Sequence, residues 1–138
     1  GSAGTYAGLY YANYIRKNDA VIYGFNVCND ADYFKNRTQE LFKEISTYTG
    51  EEIHVNKEDI NIIDGYVGKG YALSRQEEID FIQKLAREEG IILDPVYTGK
   101  AMYGLVEEIK KGRFKKHNNI LLSILVVFLD GLILQEAY

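Results

Sequence analysis

The chain has 138 residues and a mass of 15.7 kDa, the size of one folded domain. Its hydrophobic content of 46%, charged content of 26% and net charge of −4 exclude intrinsic disorder as a description of the whole chain. The acidic balance, with a pI near 5.2, argues against nucleic-acid and anionic-membrane partners. The single cysteine, Cys28, excludes a disulfide framework and favours a reducing, cytoplasmic compartment, and two histidines leave little material for a metal centre.

The apolar pattern predicts helices that alternate with short strands. Helical spacing predicts four helices, over residues 5–17, 30–47, 74–90 and 99–111. Near-continuous apolar runs predict three strands, over residues 20–27, 53–55 and 91–93. Apolar strands that alternate with helices are typical of parallel sheets. The sequence therefore predicts an α/β fold with an open, mostly parallel sheet and helices on both faces.

Two local signals refine this pattern. Ser74–Glu77 has the sequence of a capping box, in which a serine hydroxyl and a glutamate carboxylate each cover a free amide at a helix start. Gly90 is a suitable residue to end the same helix. Residues 59–69, which contain Gly65 and Gly68, are predicted to form a loop.

The chain opens with five small residues before its first predicted helix, namely Gly1, Ser2, Ala3, Gly4 and Thr5. Small residues let the backbone approach a ligand closely, and the amides and dipole of a helix start favour an anion such as phosphate. The hydroxyls of Ser2 and Thr5 add two donors. A loop of this composition can also form a tight turn and nothing more, so the motif by itself leaves both interpretations open.

A second candidate segment, Asp94–Lys100, leaves a predicted strand and enters a predicted helix. In an open α/β sheet this is the carboxyl edge, where ligands bind, so Tyr97 and Thr98 are expected there. A phenol at such a place can act as an acid or a hydrogen-bond donor. Tyr71, in a glycine-rich loop, could play the same chemical role. The chain has 12 tyrosines, however, so Tyr71 and Tyr97 can each also be packing residues without a chemical role. The positive charge of Lys100 near a helix start is repelled by the helix dipole, unless the ammonium pairs with a carboxylate.

Three motifs together resemble a known family: GSAGTYAGL at residues 1–9, GYALS around Tyr71, and EGIILDPVYTGKAMYGL at residues 89–105. The chain resembles pyridoxal-phosphate enzymes of the tryptophan synthase β-like fold type. Within that type it is most similar to the group of D-cysteine desulfhydrases and 1-aminocyclopropane-1-carboxylate (ACC) deaminases. The resemblance implies pyridoxal 5'-phosphate as cofactor, a small amino acid as substrate, and a homodimer for the full-length enzyme.

The resemblance also assigns roles to the candidate residues. Residues 1–5 would cradle the cofactor phosphate, and Tyr71 and Tyr97 match two active-site tyrosines that take part in proton handling. Thr98 matches the position next to the pyridine nitrogen, where ACC deaminases of bacteria and fungi typically carry glutamate and D-cysteine desulfhydrase-like members usually carry threonine. Thr98 therefore favours β-elimination of sulfide from D-cysteine, which gives pyruvate and ammonia, with ACC deamination as the other activity of the group.

By the same resemblance, residues 1–138 are expected to be the C-terminal part of the catalytic fold. The family's Schiff-base lysine lies upstream of the phosphate loop, together with the serine and asparagine that hold the substrate carboxylate. The chain by itself is therefore expected to be inactive. Two other interpretations stay open: a non-enzymatic remnant that folds poorly or self-associates, and a phosphate-binding or regulatory module that rests on the Gly-rich loop alone.

Residues 119–138 depart from the family pattern. The apolar run 120–134 is shorter than the roughly 20 residues of a membrane helix, and it contains Asp130. The family usually has a strand ending in His-Thr-Gly-Gly here. Codons for that motif, read one base out of register, can encode Ile-Leu-Val-Val, the sequence of residues 124–127. We therefore expect a frameshifted tail, with a divergent terminal strand as the alternative.

Overall fold

The computed structural model describes residues 2–123 of the chain. These residues form two compact units, with the boundary between Gly65 and Tyr66. The first unit contains α1 (Gly4–Ile15), β1 (Tyr23–Phe25), α2 (Ala31–Thr49), a 3-10 turn (Lys57–Asp59) and β2 (Asn61–Ile63). The second unit contains α3 (Gln76–Glu89) and α4 (Thr98–Lys110). All four predicted helices are therefore present, and their ends lie within two residues of the predicted positions.

The sheet of the first unit is parallel. β1 and β2 pair with Tyr23 opposite Asn61 and Phe25 opposite Ile63. α2 lies between the two strands in the chain, and a crossover helix is the usual connection between parallel strands. The predicted α/β class with a parallel sheet is confirmed, and the sheet has two strands in the described residues.

The positions of the strands differ from the prediction. β2 lies inside residues 59–69, which the sequence predicts to be a loop. Neither 53–55 nor 91–93 is a strand in the described part of the chain, and β1 covers only the centre of its predicted run. Ile53 and Val55 pack against the core of the first unit. Their alternating apolar pattern is thus satisfied by packing, without the backbone pairing that a strand needs.

The core of the first unit joins its two helices to the segment that carries β2. Ala7 of α1, Phe42 of α2 and Ile60 are buried in one cluster. Burial of a side chain as large as isoleucine or phenylalanine contributes about 1.5–3 kcal/mol. Gly24 in β1 lets the ring of Tyr6 approach, because a Cβ there would lie only 3.1 Å from Tyr6 Cδ2.

The side chain of Tyr6 fixes α1 relative to both strands. Its hydroxyl donates to the carbonyl of Ile22 at 3.3 Å and accepts from the amide of Asn61 at 3.0 Å. Ile22 directly precedes β1, and Asn61 begins β2. Burial raises the pKa of Tyr6, so the phenol stays protonated and keeps its donor role. Since Tyr6 lies in the first turn of α1, this contact also positions the helix start.

In the second unit, α3 and α4 approach closely at Gly99. A Cβ at Gly99 would lie 2.3 Å from Ile82 Cδ1 and 2.6 Å from the carbonyl oxygen of Asp94. Neither distance is possible for a real side chain, and the carbonyl belongs to the backbone and cannot rotate away. Glycine at this position is therefore required by the packing of the two helices.

The start of α3 differs by one residue from the predicted capping box. The N-cap is Arg75, and the carboxylate of Glu78 accepts from the Arg75 amide at 2.8 Å. Glu78 is fully buried and also accepts from Arg75 Nε at 3.0 Å, whereas Glu77 is exposed. Ser74 donates instead to the carbonyl of Pro95 at 3.0 Å. The prediction that Ser74 and Glu77 form the box is wrong, because tertiary burial selects Glu78.

Near the C-terminal end of α4, the buried carboxylate of Glu108 accepts three hydrogen bonds. Glu108 accepts from the Tyr66 hydroxyl at 2.6 Å, from the Lys111 ammonium at 2.8 Å and from the Arg113 guanidinium. Burial alone would raise the pKa of Glu108. The hydrogen bonds from Lys111, Tyr66 and Arg113 outweigh that effect and lower the pKa to about 2.

Candidate active site

The Gly-rich loop leads directly into α1 of the first unit. Ala3 has a left-handed backbone conformation, with φ of 59°, and Gly4 begins the helix. The amide of Gly4 donates to the hydroxyl oxygen of Ser2 at 3.3 Å. Within residues 2–123, the next two amides, those of Thr5 and Tyr6, have no hydrogen-bond partner, and the first turn contains no acidic side chain.

This set of donors fits a phosphate group. A left-handed residue next to a right-handed helix start points successive amides at one place, and the helix dipole makes that place positive. Ser2, Gly4 and Thr5 are exposed, so an anion can reach their amides and hydroxyls. Gly1, the remaining residue of the predicted phosphate loop, lies outside the described residues.

The start of α4 is built in a different way, with a carboxylate of the chain over its amides. Asp94 Oδ1 accepts from the amides of Val96 at 2.9 Å and Tyr97 at 2.6 Å, and Oδ2 accepts from the amide of Thr98 at 3.0 Å. Burial acts to raise the pKa of Asp94. The hydrogen bonds from Thr98, Tyr97 and Val96 outweigh burial and hold the pKa of that carboxyl below its usual value.

The hydroxyl of Thr98 is committed to the same carboxylate. Thr98 is buried, and its Oγ1 donates to Asp94 Oδ2 at 2.5 Å while it accepts from the Asp94 amide at 2.9 Å. A threonine hydroxyl has one proton and two lone pairs. With its proton donated to Asp94, Thr98 keeps one lone pair, so it can act on a ligand as a hydrogen-bond acceptor.

Tyr71 and Tyr97 meet within the second unit. Their hydroxyls are hydrogen-bonded to each other, and the ring centroids lie 6.0 Å apart at an interplanar angle of 65°. Tyr71 is 54% exposed and Tyr97 is half-buried. A phenol can both donate and accept. In the linked pair, one phenol therefore donates its proton to the oxygen of the other.

Lys100 binds backbone carbonyls, and its ammonium makes no ion pair with Asp94. Lys100 Nζ donates to the carbonyl oxygens of Val67, Gly70 and Leu73, the loop that carries Tyr71. Neither this role of Lys100 nor the capping role of Asp94 is identified by the sequence analysis. An aspartate three to four residues before a helix start, with a threonine at the fourth position, is the local signal that could have identified Asp94.

The predicted site residues are thus distributed over both units. Ser2–Thr5 lie in the first unit, and Tyr71, Tyr97 and Thr98 lie in the second, where the two phenols are in contact. Residues 2–123 contain no group of three or more side chains suited to hold a metal ion. Among the helices of these residues, none has the length and apolarity that a membrane span requires.

Three of the known proteins that match this chain are similar to it over most of its length. A bifunctional D-cysteine desulfhydrase/1-aminocyclopropane-1-carboxylate deaminase, mitochondrial, of Arabidopsis thaliana is 43% identical over 111 residues, which cover 80% of this chain and 26% of that protein. A D-cysteine desulfhydrase of Yersinia pestis (strain Pestoides F) is 39% identical over 114 residues, or 83% of this chain and 34% of that protein. A crystal structure of an ACC deaminase homologue superimposes with a TM-score of 0.72 at 37% identity and covers 81% of this chain and 33% of that one.

The chain therefore spans about a quarter to a third of the length of the curated relatives it matches. The family model described as pyridoxal-phosphate dependent enzyme matches residues 1–125, which include every predicted site residue. Together with the relatives above, this match confirms the resemblance seen in the three motifs and the cofactor that it implies. The chain belongs to the family of pyridoxal-phosphate dependent enzymes.

Proposed function

We propose that the chain is the C-terminal part of the catalytic fold of a cytoplasmic pyridoxal-phosphate lyase or deaminase that acts on small amino acids. D-Cysteine desulfhydrase activity is our first choice and ACC deaminase activity is the second. The observation that carries the proposal is the hydrogen-bonded pair of Tyr71 and Tyr97 beside Thr98. Both activities are named in the relative from Arabidopsis thaliana, and the first is named in the relative from Yersinia pestis.

In this proposal, Ser2–Thr5 and the amides that follow hold the phosphate of the cofactor. The amides of Thr5 and Tyr6, which have no partner among residues 2–123, supply directional donors, and the dipole of α1 attracts the dianion. Gly1 would complete the loop. Tyr6 then acts at a distance, because its bonds to the two strands hold the helix start in place.

Thr98 and the two phenols supply the rest of this chain's contribution. When bound, pyridoxal phosphate withdraws electrons from the substrate, while the protein orients the reactants and moves protons. Thr98 would lie against the pyridine nitrogen and accept a hydrogen bond there, since its own proton is donated to Asp94. A hydroxyl holds a protonated ring less firmly than a carboxylate does, and this difference supports sulfide elimination from D-cysteine as the first choice.

The Tyr71–Tyr97 pair would deliver or accept a proton at the substrate. When one phenol gives its proton to a leaving group, the other phenol can restore it through the bond between their oxygens. Such relay requires a fixed distance between the two hydroxyls, because general acid catalysis depends on hydrogen-bond contact with the reacting atom. The exposed side of Tyr71 is the side that a substrate can reach.

We further infer that this chain alone does not turn over substrate and that the full-length enzyme is a homodimer. The lysine that would bind the cofactor covalently in this family has no counterpart among the motifs matched here. With added cofactor, the full chain is expected to release no sulfide or pyruvate from D-cysteine and no ammonia from ACC. Turnover above that of free pyridoxal phosphate would contradict this part of the proposal.

The phosphate site can be tested directly by cofactor binding. Thr5→Glu places a negative charge beside the first amides of α1, so the affinity of the chain for pyridoxal 5'-phosphate should fall about tenfold, or about 1.4 kcal/mol. Equilibrium dialysis measures it, with pyridoxal lacking the phosphate as the reference ligand. Ala12→Glu, at an exposed position of the same helix, is the matched control. Two results would exclude the loop as the phosphate site: an equal loss of pyridoxal 5'-phosphate affinity in both variants, or an affinity of the unmodified chain for pyridoxal equal to that for pyridoxal 5'-phosphate.

A further inference from the structure

Lys100, a fully buried cation of the second unit, makes no ion pair with a carboxylate among residues 2–123. Lys100 is 0% exposed, and its Nζ donates to the carbonyls of Val67 at 2.5 Å, Gly70 at 2.9 Å and Leu73 at 3.1 Å. An ammonium group has three protons. All three are therefore used on one short loop, so the side chain is fully engaged and has no proton left for a ligand.

Residues 67–73 form the loop whose carbonyls surround the Lys100 ammonium. Its backbone is left-handed at Gly68 and Gly70, and also at Ala72, where φ is 59°. An alanine rarely adopts this conformation without surrounding contacts that hold it there. The loop also closes on itself, since the Leu73 amide donates to the Gly70 carbonyl at 3.1 Å. The carbonyls of Gly70 and Leu73 thus face inward, toward Lys100.

The charges near Lys100 come from the N-cap and first turn of α3. Burial lowers the pKa of Lys100, and the negative charge of the fully buried Glu78 opposes that effect, while Arg75 adds to it. Glu78 is itself bound to Arg75, at 2.9 Å from its Nη2. Gly68 makes the contact with this pair possible, because a Cβ there would lie 3.0 Å from Glu78 Oε2. The loop is therefore held from α4 by Lys100 and lies directly against the Arg75–Glu78 pair of α3.

Lys100 connects this loop to α4, at whose start Tyr97 lies. Tyr71 lies inside the loop, and Tyr97 lies three residues before Lys100, at the start of α4. Among residues 2–123, the contacts of the Tyr71 side chain are its exposed hydrogen bond and ring contact with Tyr97. An exposed phenol–phenol bond is weak against solvent competition, so it cannot by itself fix the backbone of a seven-residue loop.

We propose that Lys100 is a positioning residue that holds Tyr71 against Tyr97 by binding three carbonyls of the loop 67–73. It contacts no reacting atom and acts through the loop. A catalytic role for Tyr71 and Tyr97 rests on the function proposed above. The positioning role of Lys100 is a structural property of the chain and holds without that function. It can therefore be tested without cofactor or substrate, and its failure is distinguishable from a failure of the proposed function.

Limited proteolysis measures the anchoring of the loop. Lys69 is a trypsin site inside the loop, and Lys116, exposed in the same unit, is an internal reference. In the full chain, Lys100→Met should increase cleavage after Lys69 relative to cleavage after Lys116 by about tenfold, as expected for a loop released into local opening. Leu105→Ala, in the buried face of α4, is the control for general destabilisation and should leave the ratio unchanged. An unchanged ratio in Lys100→Met would overturn the proposal.

A conservative variant provides a second test that does not depend on the folding of Lys100→Met. Tyr71→Phe removes the phenol–phenol bond and leaves Lys100 in place. If Lys100 holds the loop, Lys69 stays as protected in Tyr71→Phe as in the unmodified chain. If Tyr71→Phe exposes Lys69 to the same extent as Lys100→Met, the phenol pair holds the loop and the proposal is wrong.

A spectroscopic measurement separates positioning from mere stability. In chain labelled with 3-fluorotyrosine, Tyr71→Phe should shift the fluorine resonance of Tyr97, because the two rings are in contact. The same substitution made in Lys100→Met should leave the Tyr97 resonance unshifted, since Tyr71 is then no longer held at that ring. An equal shift in both backgrounds would show that Lys100 does not position Tyr71.

Discussion

The starts of α1 and α4 present the same backbone chemistry with opposite uses. At α1, small residues leave two amides without a partner in the described residues, and no carboxylate lies in the first turn. At α4, Asp94 accepts from three successive amides and from the Thr98 hydroxyl. One helix start is open to an external anion, and the other is closed by an internal one.

This contrast explains why the two starts suit different tasks. An open helix start offers donors and positive potential, which is what a phosphate-binding loop needs. A start closed by Asp94 offers no site for an anion, but the hydrogen bonds to Asp94 hold the backbone of Tyr97 and Thr98. In the function proposed above, cofactor binding and the positioning of the reacting groups would fall to two separate helices.

The largest effect is expected when the closed start is opened. Asp94→Ala leaves the amides of Val96, Tyr97 and Thr98 and the Thr98 hydroxyl without their acceptor, and should reduce the free energy of unfolding by about 2–4 kcal/mol. Urea unfolding followed by circular dichroism measures it. Asp94→Asn keeps a capping oxygen and should lose less than half as much. Equal stability of Asp94→Ala and the unmodified chain would contradict the capping role.

The second effect concerns what holds the open start in place. Tyr6→Phe removes one donor and one acceptor at the two strands and should cost about 1–3 kcal/mol of unfolding free energy, because the Asn61 amide and the Ile22 carbonyl lose their partner. Tyr14→Phe, at an exposed position of α1, is the control and should be neutral. A Tyr6→Phe variant as stable as Tyr14→Phe would show that the phenol does not anchor α1.

Acid should weaken the closed start and leave the open one unaffected. The pKa of Asp94 is lowered on folding, so its stabilisation is fully present above its unfolded value of 3.8 and is lost as the pH falls through the folded value. Glu108, whose pKa falls from 4.5 to about 2, adds a loss between those two values. Below pH 4.5 the second unit should therefore lose hydrogen-exchange protection, and Asp94→Asn should remove part of that loss. Identical profiles for the two proteins would refute the assignment to Asp94.

The smallest effect is expected when the open start is closed. Thr5→Glu without ligand should raise the free energy of unfolding by about 0.3–1 kcal/mol, because a negative charge in the first turn favours the helix dipole. Ala12→Glu, near the C-terminal end of α1, should give no gain. A lower free energy of unfolding in Thr5→Glu would show that the amides of the first turn of α1 already have an acceptor. The combination of higher stability and weaker cofactor binding is specific to an anion site.

The candidate residues were accessible from motifs, but their contacts were not. The resemblance directs attention to Tyr71, Tyr97, Thr98 and residues 1–5, and the family match confirms the resemblance. Their catalytic and cofactor-binding roles stay predictions, as does the homodimer. The frameshifted tail also stays a prediction, and its residues 124–138 lie outside the described residues. That Tyr71 meets Tyr97 depends on a loop bound by Lys100, and no sequence spacing encodes that contact.

The sequence by itself determined the helices, because helix formation depends on contacts three and four residues apart and on local end signals such as Gly50 and Gly90, both left-handed in the structure. Only the tertiary structure decided which apolar run became β2, since Asn61–Ile63 and Ile53–Val55 are similar locally and differ in having a strand to pair with. It also decided that Glu78 rather than Glu77 caps α3, and that carbonyls rather than a carboxylate bind Lys100. In each case burial selects the partner, and burial is set by residues far away in the chain.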